Sequence, residues 1–281
     1  MVGGCVARVA KHWGPFGPFV VTLAVAALVP AISKGATFAG VPIAPGETVR
    51  ANVPLSSLQK SYVSEGGNRP PPYAVAVLAV PPGFNPEKTW PVLVALSSSD
   101  KRHQNRDSLY HYRESAFAQG WIVIAGDGPA PANQDSTGWR AGMTLAALDA
   151  LHRSFPASNK WPVACAGGSG GAKRAGFVAP LLSLAGNRII GIFLSGINED
   201  RLSKGYQDYR PGSSFLRTPI FLSIGAKDLI ATPAQQISVK SSMQRTGFSR
   251  VRHEIFPHGH VLMPTQVEKA LRWFRQLQGK G

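Results

Sequence analysis

Cysteine is scarce in this sequence, and its scarcity excludes several kinds of site. Only Cys5 and Cys165 occur in 281 residues. Cys5 falls in an N-terminal segment that we expect to be removed, and a single remaining thiol excludes an intramolecular disulfide and a cysteine zinc site. The seven histidines are not paired with carboxylates at the spacing of metal ligands. We therefore expect no metal and no other cofactor.

Acidic residues are also few, which leaves the chain strongly basic. Lysine and arginine together number 30 against 15 aspartates and glutamates, a formal net charge of +15. Such a balance favours anionic partners such as nucleic acid, acidic glycans or a membrane surface. The basic residues are scattered, however, and we find neither a zinc-finger spacing nor an RNA-recognition signature. We expect a solvated basic surface and no nucleic-acid partner.

The first 39 residues contain no aspartate or glutamate. A basic start, an apolar run over residues 19–32 and small residues after it form the layout of a secretory signal peptide, and Ala31 and Ala39 both fit a cleavage site. The run is short for a membrane span of about 20 residues, although a retained anchor with membrane association stays open. We expect residues 1–39 to be a signal peptide or N-terminal anchor. The protein would then be secreted or periplasmic, or membrane-anchored if uncleaved.

Residues 40–72 are rich in proline, glycine and serine, and we expect an N-terminal extension with one strand near 47–54. From residue 73 to 281, short apolar runs alternate with longer helical patterns, which predicts one α/β domain. Candidate strands, mostly apolar and β-branched as in strands covered on both faces, occupy residues 73–80, 91–96, 121–125, 162–166, 189–194, 219–224 and 250–256. Candidate helices occupy residues 137–155, 171–184, 233–246 and 264–277.

Strands that alternate with helices imply a mainly parallel sheet with right-handed crossovers. The first two candidate strands are joined only by residues 81–90, a connection that suits a hairpin better than a crossover. We therefore predict a mixed sheet of about seven to eight strands, antiparallel at its start, with helices on both faces.

One glycine-rich segment, Gly167-Gly168-Ser169-Gly170-Gly171, matches the pattern G-x-S-x-G between a predicted strand and a predicted helix. A serine at such a turn is held in a strained backbone conformation, with its hydroxyl above the edge of the sheet. The alternative is a glycine-rich turn with no chemistry. A phosphate-binding Walker loop would need Gly-Lys-Ser/Thr, which is absent here.

A nucleophilic serine needs a base, and the base needs an acid that orients it. Asp228 follows one predicted strand, and His258 and His260 follow the next. Because active sites of open α/β sheets form at the carboxyl ends of strands, we expect these side chains to meet Ser169 at one edge. Asp200, after an earlier strand, is an alternative acid.

The sequence resembles the α/β-hydrolase superfamily, and within it the secreted esterase and polyhydroxyalkanoate-depolymerase-like branch. The elbow at residues 167–174, which leads into a basic helix start, and the Gly259-His260 pair before Pro264 carry the resemblance. It covers about residues 73–278. The resemblance implies Ser169 as nucleophile, His260 as general base in preference to His258, and Asp228 as acid.

The resemblance also implies an oxyanion hole made of two backbone N–H groups. We expect Gly170 to supply one donor and the loop after residues 91–96 to supply the other. The family usually has His-Gly-x in that loop, whereas this chain has Ser97 and Ser98 in the first two places. Ser99 is the favoured second donor, and Ser98 is the alternative.

Together these features predict a secreted serine hydrolase that cleaves small or polymeric carboxylic esters through an acyl-enzyme. Residues 198–218 are polar and show no helical apolar stripe, so we expect a short lid or none. A prolyl-peptidase-like enzyme or a thioesterase is one alternative. A non-catalytic envelope or glycan-binding protein on a hydrolase scaffold is another, and the sequence does not indicate an oligomeric state.

Overall fold

A computed structural model describes residues 35–98, 104–129 and 137–278 of the chain. A small ribbon formed by β1 (Thr37–Phe38) and β2 (Val41–Pro42) comes first. Eight further strands of the described residues form the central sheet. They are β3 (Thr48–Val53), β4 (Ala74–Ala79), β5 (Val92–Leu96), β6 (Ile122–Asp127), β7 (Val163–Gly168), β8 (Ile189–Ser195), β9 (Ile220–Gly225) and β10 (Val251–Phe256).

The sheet has the strand order β10-β9-β8-β7-β5-β6-β4-β3. β4 runs antiparallel to both β3 and β6, and the remaining neighbours are parallel. The predicted mixed sheet with an antiparallel start is therefore confirmed. The predicted hairpin between the first two candidate strands is wrong, because β6 lies between β4 and β5. The connecting residues 81–90 need to cross only two strand spacings, about 10 Å, which is well within their reach.

Seven α-helices lie in the described residues. They are α1 (Ser57–Val63), α2 (Asn105–Ala118), α3 (Thr137–Ser154), α4 (Gly170–Leu184), α5 (Arg201–Tyr209), α6 (Pro233–Thr246) and α7 (Pro264–Gln278). The four predicted helices are all present, and α6 shows why they could be found. Thr232 caps its first turn, Pro233 follows, and Gly247 ends it at a φ of 109°.

Helix α5 contradicts the expectation that residues 198–218 lack a helical apolar stripe. Leu202 and Gly205 are buried on the side that packs against α4, and the Tyr209 ring contacts the Phe177 ring edge-on. The sequence does not reveal this stripe because it consists of one leucine, one glycine and aromatic rings that carry polar hydroxyl groups. Since α5 lies against the body of the fold, the expected short or absent lid is confirmed.

Alternate residues of each central strand supply two separate cores. In β4, Ala74, Ala76 and Leu78 enter one core, while Val75 and Val77 enter the other. The first core is closed by α1, α3, α4, α5 and α6, and the second by α2 and α7. Helices therefore cover the sheet on both faces, and the carboxyl ends of its parallel strands form one edge.

The segment predicted as an N-terminal extension contributes regular structure to the domain. Residues 48–53 form the edge strand β3, and α1 packs against α3. Phe38 and Val63 both belong to the first core. Residues 1–34, with most of the predicted signal peptide or anchor, lie outside the described residues. No helix in the described part of the chain is both long and apolar enough to span a bilayer.

Candidate active site

Ser169 occupies the sharp turn between β7 and α4. Its backbone has a φ of 55° and a ψ of −125°, a combination that residues other than glycine rarely adopt. Two neighbouring glycines make the turn possible, since a Cβ on Gly167 would lie 2.0 Å from the Gly171 carbonyl oxygen, and one on Gly171 would lie 2.4 Å from that of Leu96. This is the strained turn that the G-x-S-x-G pattern predicts.

Asp228 and His260 follow the neighbouring strands β9 and β10 and are hydrogen-bonded to each other. The distance from His260 Nδ1 to Asp228 Oδ2 is 2.7 Å. The other carboxylate oxygen accepts the backbone N–H groups of Ile230 and Ala231, each at 2.9 Å. Burial alone would raise the pKa of Asp228, but these hydrogen bonds from Ala231, His260 and Ile230 together hold it below its ordinary value. The carboxylate is therefore fixed and charged.

The imidazole of His260 lies beside the turn that carries Ser169. A Cβ built on Gly196 would lie only 3.0 Å from His260 Cε1, so a glycine at this position leaves room for the ring. The residue before it, Ser195, accepts the backbone N–H of Ser169 at 2.8 Å. The His260 ring and the Ser169 turn therefore both lie against residues at the end of β8.

Ser169 and His260 both line one open pocket of about 540 Å³. The remaining lining residues are Ser98, Ser108, His111, Tyr112, Gly168, Ser195, Gly196, Val261 and Leu262. Within the described part of the chain, the Ser169 hydroxyl makes no hydrogen bond. Hydrogen bonds between a nucleophile and its base are often long until substrate binds.

The two alternative residues lie elsewhere. Asp200 caps α5, where its Oδ1 accepts the backbone N–H of Ser203 at 2.9 Å. His258 is exposed, and its backbone carbonyl accepts the N–H of Lys227 at 2.9 Å. Neither side chain lines the pocket. Ser169 and His260 therefore share one pocket, and Asp228 is hydrogen-bonded to His260, whereas Asp200 and His258 do not line that pocket.

The predicted oxyanion residues are divided between two elements. Gly170 is the first residue of α4, so its N–H lies at the positive end of the helix dipole. Ser98 lines the pocket, whereas Ser99 lies outside the described residues. Ser97 donates its N–H to Asn105 Oδ1 at 2.8 Å. Asn105 could not be identified from the sequence, because nothing distinguishes one amide in a polar segment until the fold places it beside Ser97.

Metal ligation finds no support in the described residues, which hold no group of three or more histidine, cysteine, aspartate or glutamate side chains able to bind an ion. Cys165 is fully buried in β7, and burial raises the pKa of its thiol to about 12. A thiol in that environment stays protonated at neutral pH and acts as a small core residue.

No protein-family model matches this sequence, and no curated protein matches it. Solved structures are nevertheless similar in three dimensions. A ferulic acid esterase shares the fold with a TM-score of 0.57 and 14% identity, over 82% of this chain and 98% of its own. A serine hydrolase without a lid from Xanthomonas campestris gives a TM-score of 0.56 and 13% identity, over 84% of this chain and 97% of its own.

A protein named as a dipeptidyl aminopeptidase IV from Bacteroides ovatus is similar as well, with a TM-score of 0.57 and 13% identity over 82% of this chain. This chain spans only 36% of that protein's length. At such identities the likeness shows the fold. Together with the strand order and the strained serine turn, it shows that this chain has the α/β-hydrolase fold.

Proposed function

We propose that this protein is a serine hydrolase that cleaves carboxylic ester bonds through an acyl-enzyme. Ser169 is the nucleophile, His260 the general base and Asp228 the acid that orients the base. The observation that carries the proposal is the 2.7 Å hydrogen bond between His260 Nδ1 and Asp228 Oδ2, in a site where His260 shares a pocket with a serine in the strained turn.

The geometry supports the first half of the reaction as follows. Because Nδ1 of His260 donates its hydrogen to Asp228, Nε2 carries a lone pair and accepts the proton of the Ser169 hydroxyl. The serine oxygen then bonds to the ester carbonyl carbon, and the π electrons of that carbonyl move to its oxygen. The N–H of Gly170 stabilises this oxyanion at the start of α4, and the second donor comes from the loop after β5.

The second half returns the enzyme to its starting state. His260 gives its new proton to the leaving alcohol oxygen as the carbon–oxygen bond breaks, which leaves an acyl group on Ser169. Water then takes the place of the alcohol and loses a proton to His260 as its oxygen bonds to the acyl carbon. The bond between that carbon and the Ser169 oxygen breaks, His260 returns the proton to the Ser169 oxygen, and the carboxylic acid leaves. Asp228 keeps its charge throughout and stabilises the imidazolium form of His260.

Esters are favoured over peptides by the extent of the structural likeness. The ferulic acid esterase is matched over 98% of its length, whereas the aminopeptidase is matched over 36%, so most of that peptidase has no counterpart in this chain. The pocket is open, and its wall combines polar side chains such as Ser108 and His111 with the apolar side chains of Val261 and Leu262. Short or accessible esters suit such a pocket better than long lipid chains do.

Export through the N-terminal segment is a further part of this proposal, and the fold bears on the cleavage site. Phe38 lies in the first core, and the N–H of Ala39 donates to Ser154 Oγ at 2.8 Å. Cleavage after Ala39 would remove β1 and a buried phenylalanine, whereas cleavage after Ala31 would keep both. N-terminal sequencing of the exported protein should find a start before residue 37, and a start at Gly40 would contradict this.

The catalytic proposal is tested by hydrolysis of matched ester, thioester and anilide substrates by the purified protein. We expect the ester to be cleaved fastest, and Ser169→Ala to lower kcat for it by at least about 10⁴-fold with an unchanged circular dichroism spectrum. Ser183→Ala in the same helix is the matched control and should keep wild-type activity. Ester hydrolysis that persists in Ser169→Ala would overturn the assignment, and preferred cleavage of the anilide or thioester would move it to one of the alternatives.

A further inference from the structure

Ser97, the first residue after β5, is held by buried polar side chains from two helices. Ser97 is 2% exposed, and its N–H donates to Asn105 Oδ1 at 2.8 Å. Its carbonyl oxygen accepts from Arg174 Nη1 at 3.4 Å. Asn105, at the start of α2, is 0% exposed, and Arg174, in α4, is 4% exposed. Both backbone polar groups of Ser97 are thus fixed in place, one from each helix.

The start of α2 is itself anchored to the sheet. Asn105 Nδ2 donates to the carbonyl oxygen of Gly126 in β6 at 2.8 Å. The next residue, Arg106, donates its N–H to Asp127 Oδ2 at 3.2 Å. Asp127 is buried and forms an ion pair with the equally buried Arg140 at 3.5 Å. Asn105 therefore has little freedom to move, and Ser97 is held against a rigid support.

The backbone at the start of α4 also lies close to Ser97. A Cβ on Gly171 would lie 2.9 Å from the carbonyl carbon of Ser97, which shows how closely the two backbones approach. Arg174 lies on the same helix, just over one turn after Ser169. The contact from Arg174 to Ser97 thus fixes Ser97 relative to the nucleophile.

The fixed carbonyl determines where the next N–H points. No peptide bond of the described residues is cis, and a trans peptide directs its N–H opposite to its carbonyl. Since the Ser97 carbonyl faces Arg174, the N–H of Ser98 faces away from that side chain. Ser98 lines the pocket together with Ser169, and in the described chain its N–H donates to no protein acceptor.

We propose that Ser98 N–H is the second oxyanion donor, and that Asn105 and Arg174 are the positioning residues that aim it by holding the two polar groups of Ser97. The proposal rests on the proposed function of the site. It means that two side chains hold this loop in a chain that lacks the His-Gly-x sequence there. Because positioning residues act on the donor without touching substrate, their loss should lower kcat and leave KM almost unchanged.

The test is Asn105→Ala, with kcat expressed per active site after titration with a fluorophosphonate. Loss of a complete oxyanion donor costs about 10²–10³ in kcat, so a misaimed donor should cost about 10- to 100-fold. Affinity for a trifluoromethyl ketone that forms a tetrahedral adduct should fall by a similar factor. KM should change by less than about threefold, and the pH profile of kcat/KM should keep its shape, because His260 is untouched.

Asn68→Ala is the matched control, since Asn68 is also a buried asparagine but does not line the pocket. It should keep kcat per active site within about threefold, because a purely structural loss reduces the number of folded sites and not the rate of each. An Asn105→Ala enzyme whose kcat per site also stays within threefold of wild type would overturn the proposal.

If Asn105→Ala does not fold, Arg174→Lys decides the question, with Lys173→Ala as its neighbour control. Lysine keeps the charge but shortens the reach to the Ser97 carbonyl, so kcat per site should fall at least about threefold. An unchanged kcat would reject the positioning role. Failure of the proposed function itself looks different, because the wild-type protein would then neither hydrolyse esters nor react with the fluorophosphonate at Ser169.

Discussion

The two sides of the proposed site use different chemical groups, side chains on one side and backbone N–H groups on the other. On the acid and base side, Asp228 and His260 act through their side chains, and both follow adjacent parallel strands in matching register. On the oxyanion side, we propose that the backbone N–H of Ser98 acts, aimed by side chains 8 and 77 positions away from Ser97. Chemistry that belongs to a side chain can be found in a sequence, whereas chemistry that belongs to an aimed backbone group needs the fold.

The largest effect that can test this comparison is expected at His260. His260→Gln removes the base, and kcat for ester hydrolysis should fall by about 10⁴-fold or more. His258→Gln is the matched control two residues away, and it should retain wild-type kcat because that ring is exposed and does not line the pocket. If the two variants exchanged these outcomes, the base would be His258 and the acid–base side would be wrongly assigned.

A loss of about 10⁴-fold in kcat is also expected for Asp228→Asn, since the amide would favour the wrong tautomer of His260. Asp200→Asn provides the comparison, because Asp200 caps α5 and does not contact the histidine. Asp200→Asn should lower the free energy of unfolding by less than about 1 kcal/mol and leave kcat unchanged. Steady-state kinetics of the two purified variants decide between them, and an inactive Asp200→Asn with an active Asp228→Asn would reverse the assignment.

A smaller effect is expected where β8 meets the histidine. Gly196 has a φ of 62°, and a Cβ there would lie 3.0 Å from His260 Cε1. Gly196→Ala should therefore strain the backbone by about 1–3 kcal/mol and displace the imidazole, with a loss of about 10- to 100-fold in kcat. Urea unfolding and kinetics measured on the same sample separate the two effects. Wild-type kcat in this variant would show that His260 has more room than the structure indicates.

The smallest effect concerns the pH dependence of stability. The pKa of Asp228 is lower in the folded protein than in the unfolded chain, so its stabilising contribution is present above its unfolded pKa and is lost as pH falls through its folded pKa. The difference in unfolding free energy between wild type and Asp228→Asn should therefore be larger at pH 6 than at pH 3. Denaturant unfolding at both pH values measures it, and a difference that grows towards acid would contradict the assigned hydrogen bonds.

Much of the fold could be predicted because local rules agree with the tertiary structure. The central strands are apolar runs covered on both faces, and helices such as α6 carry a cap, an initial proline and a terminal glycine. The hairpin prediction failed because loop length constrains distance but does not specify a partner strand. Helix α5 was missed because its buried stripe depends on Gly205 fitting against α4, which only packing reveals.

The residues of the candidate site likewise form two groups, those that could be proposed from the sequence and those whose role depends on the fold. Ser169, Asp228 and His260 could be proposed because each has a residue type and a position after a strand that match its chemistry. Asn105 could not, because its role depends on α2 starting next to β5 and β6 in space. Arg174 lies in the basic helix start that carries the resemblance, yet its proposed positioning role follows only from its contact with the Ser97 carbonyl oxygen.

The central claim is that Ser169 is an activated nucleophile, and covalent labelling tests it most directly. The purified protein is treated with a fluorophosphonate, and the adduct is located by mass spectrometry of its peptides. One adduct should form on Ser169, should form far more slowly in His260→Gln, and should be absent from Ser169→Ala. An unmodified Ser169 in fully inactivated protein, or a single adduct on another residue, would contradict the account.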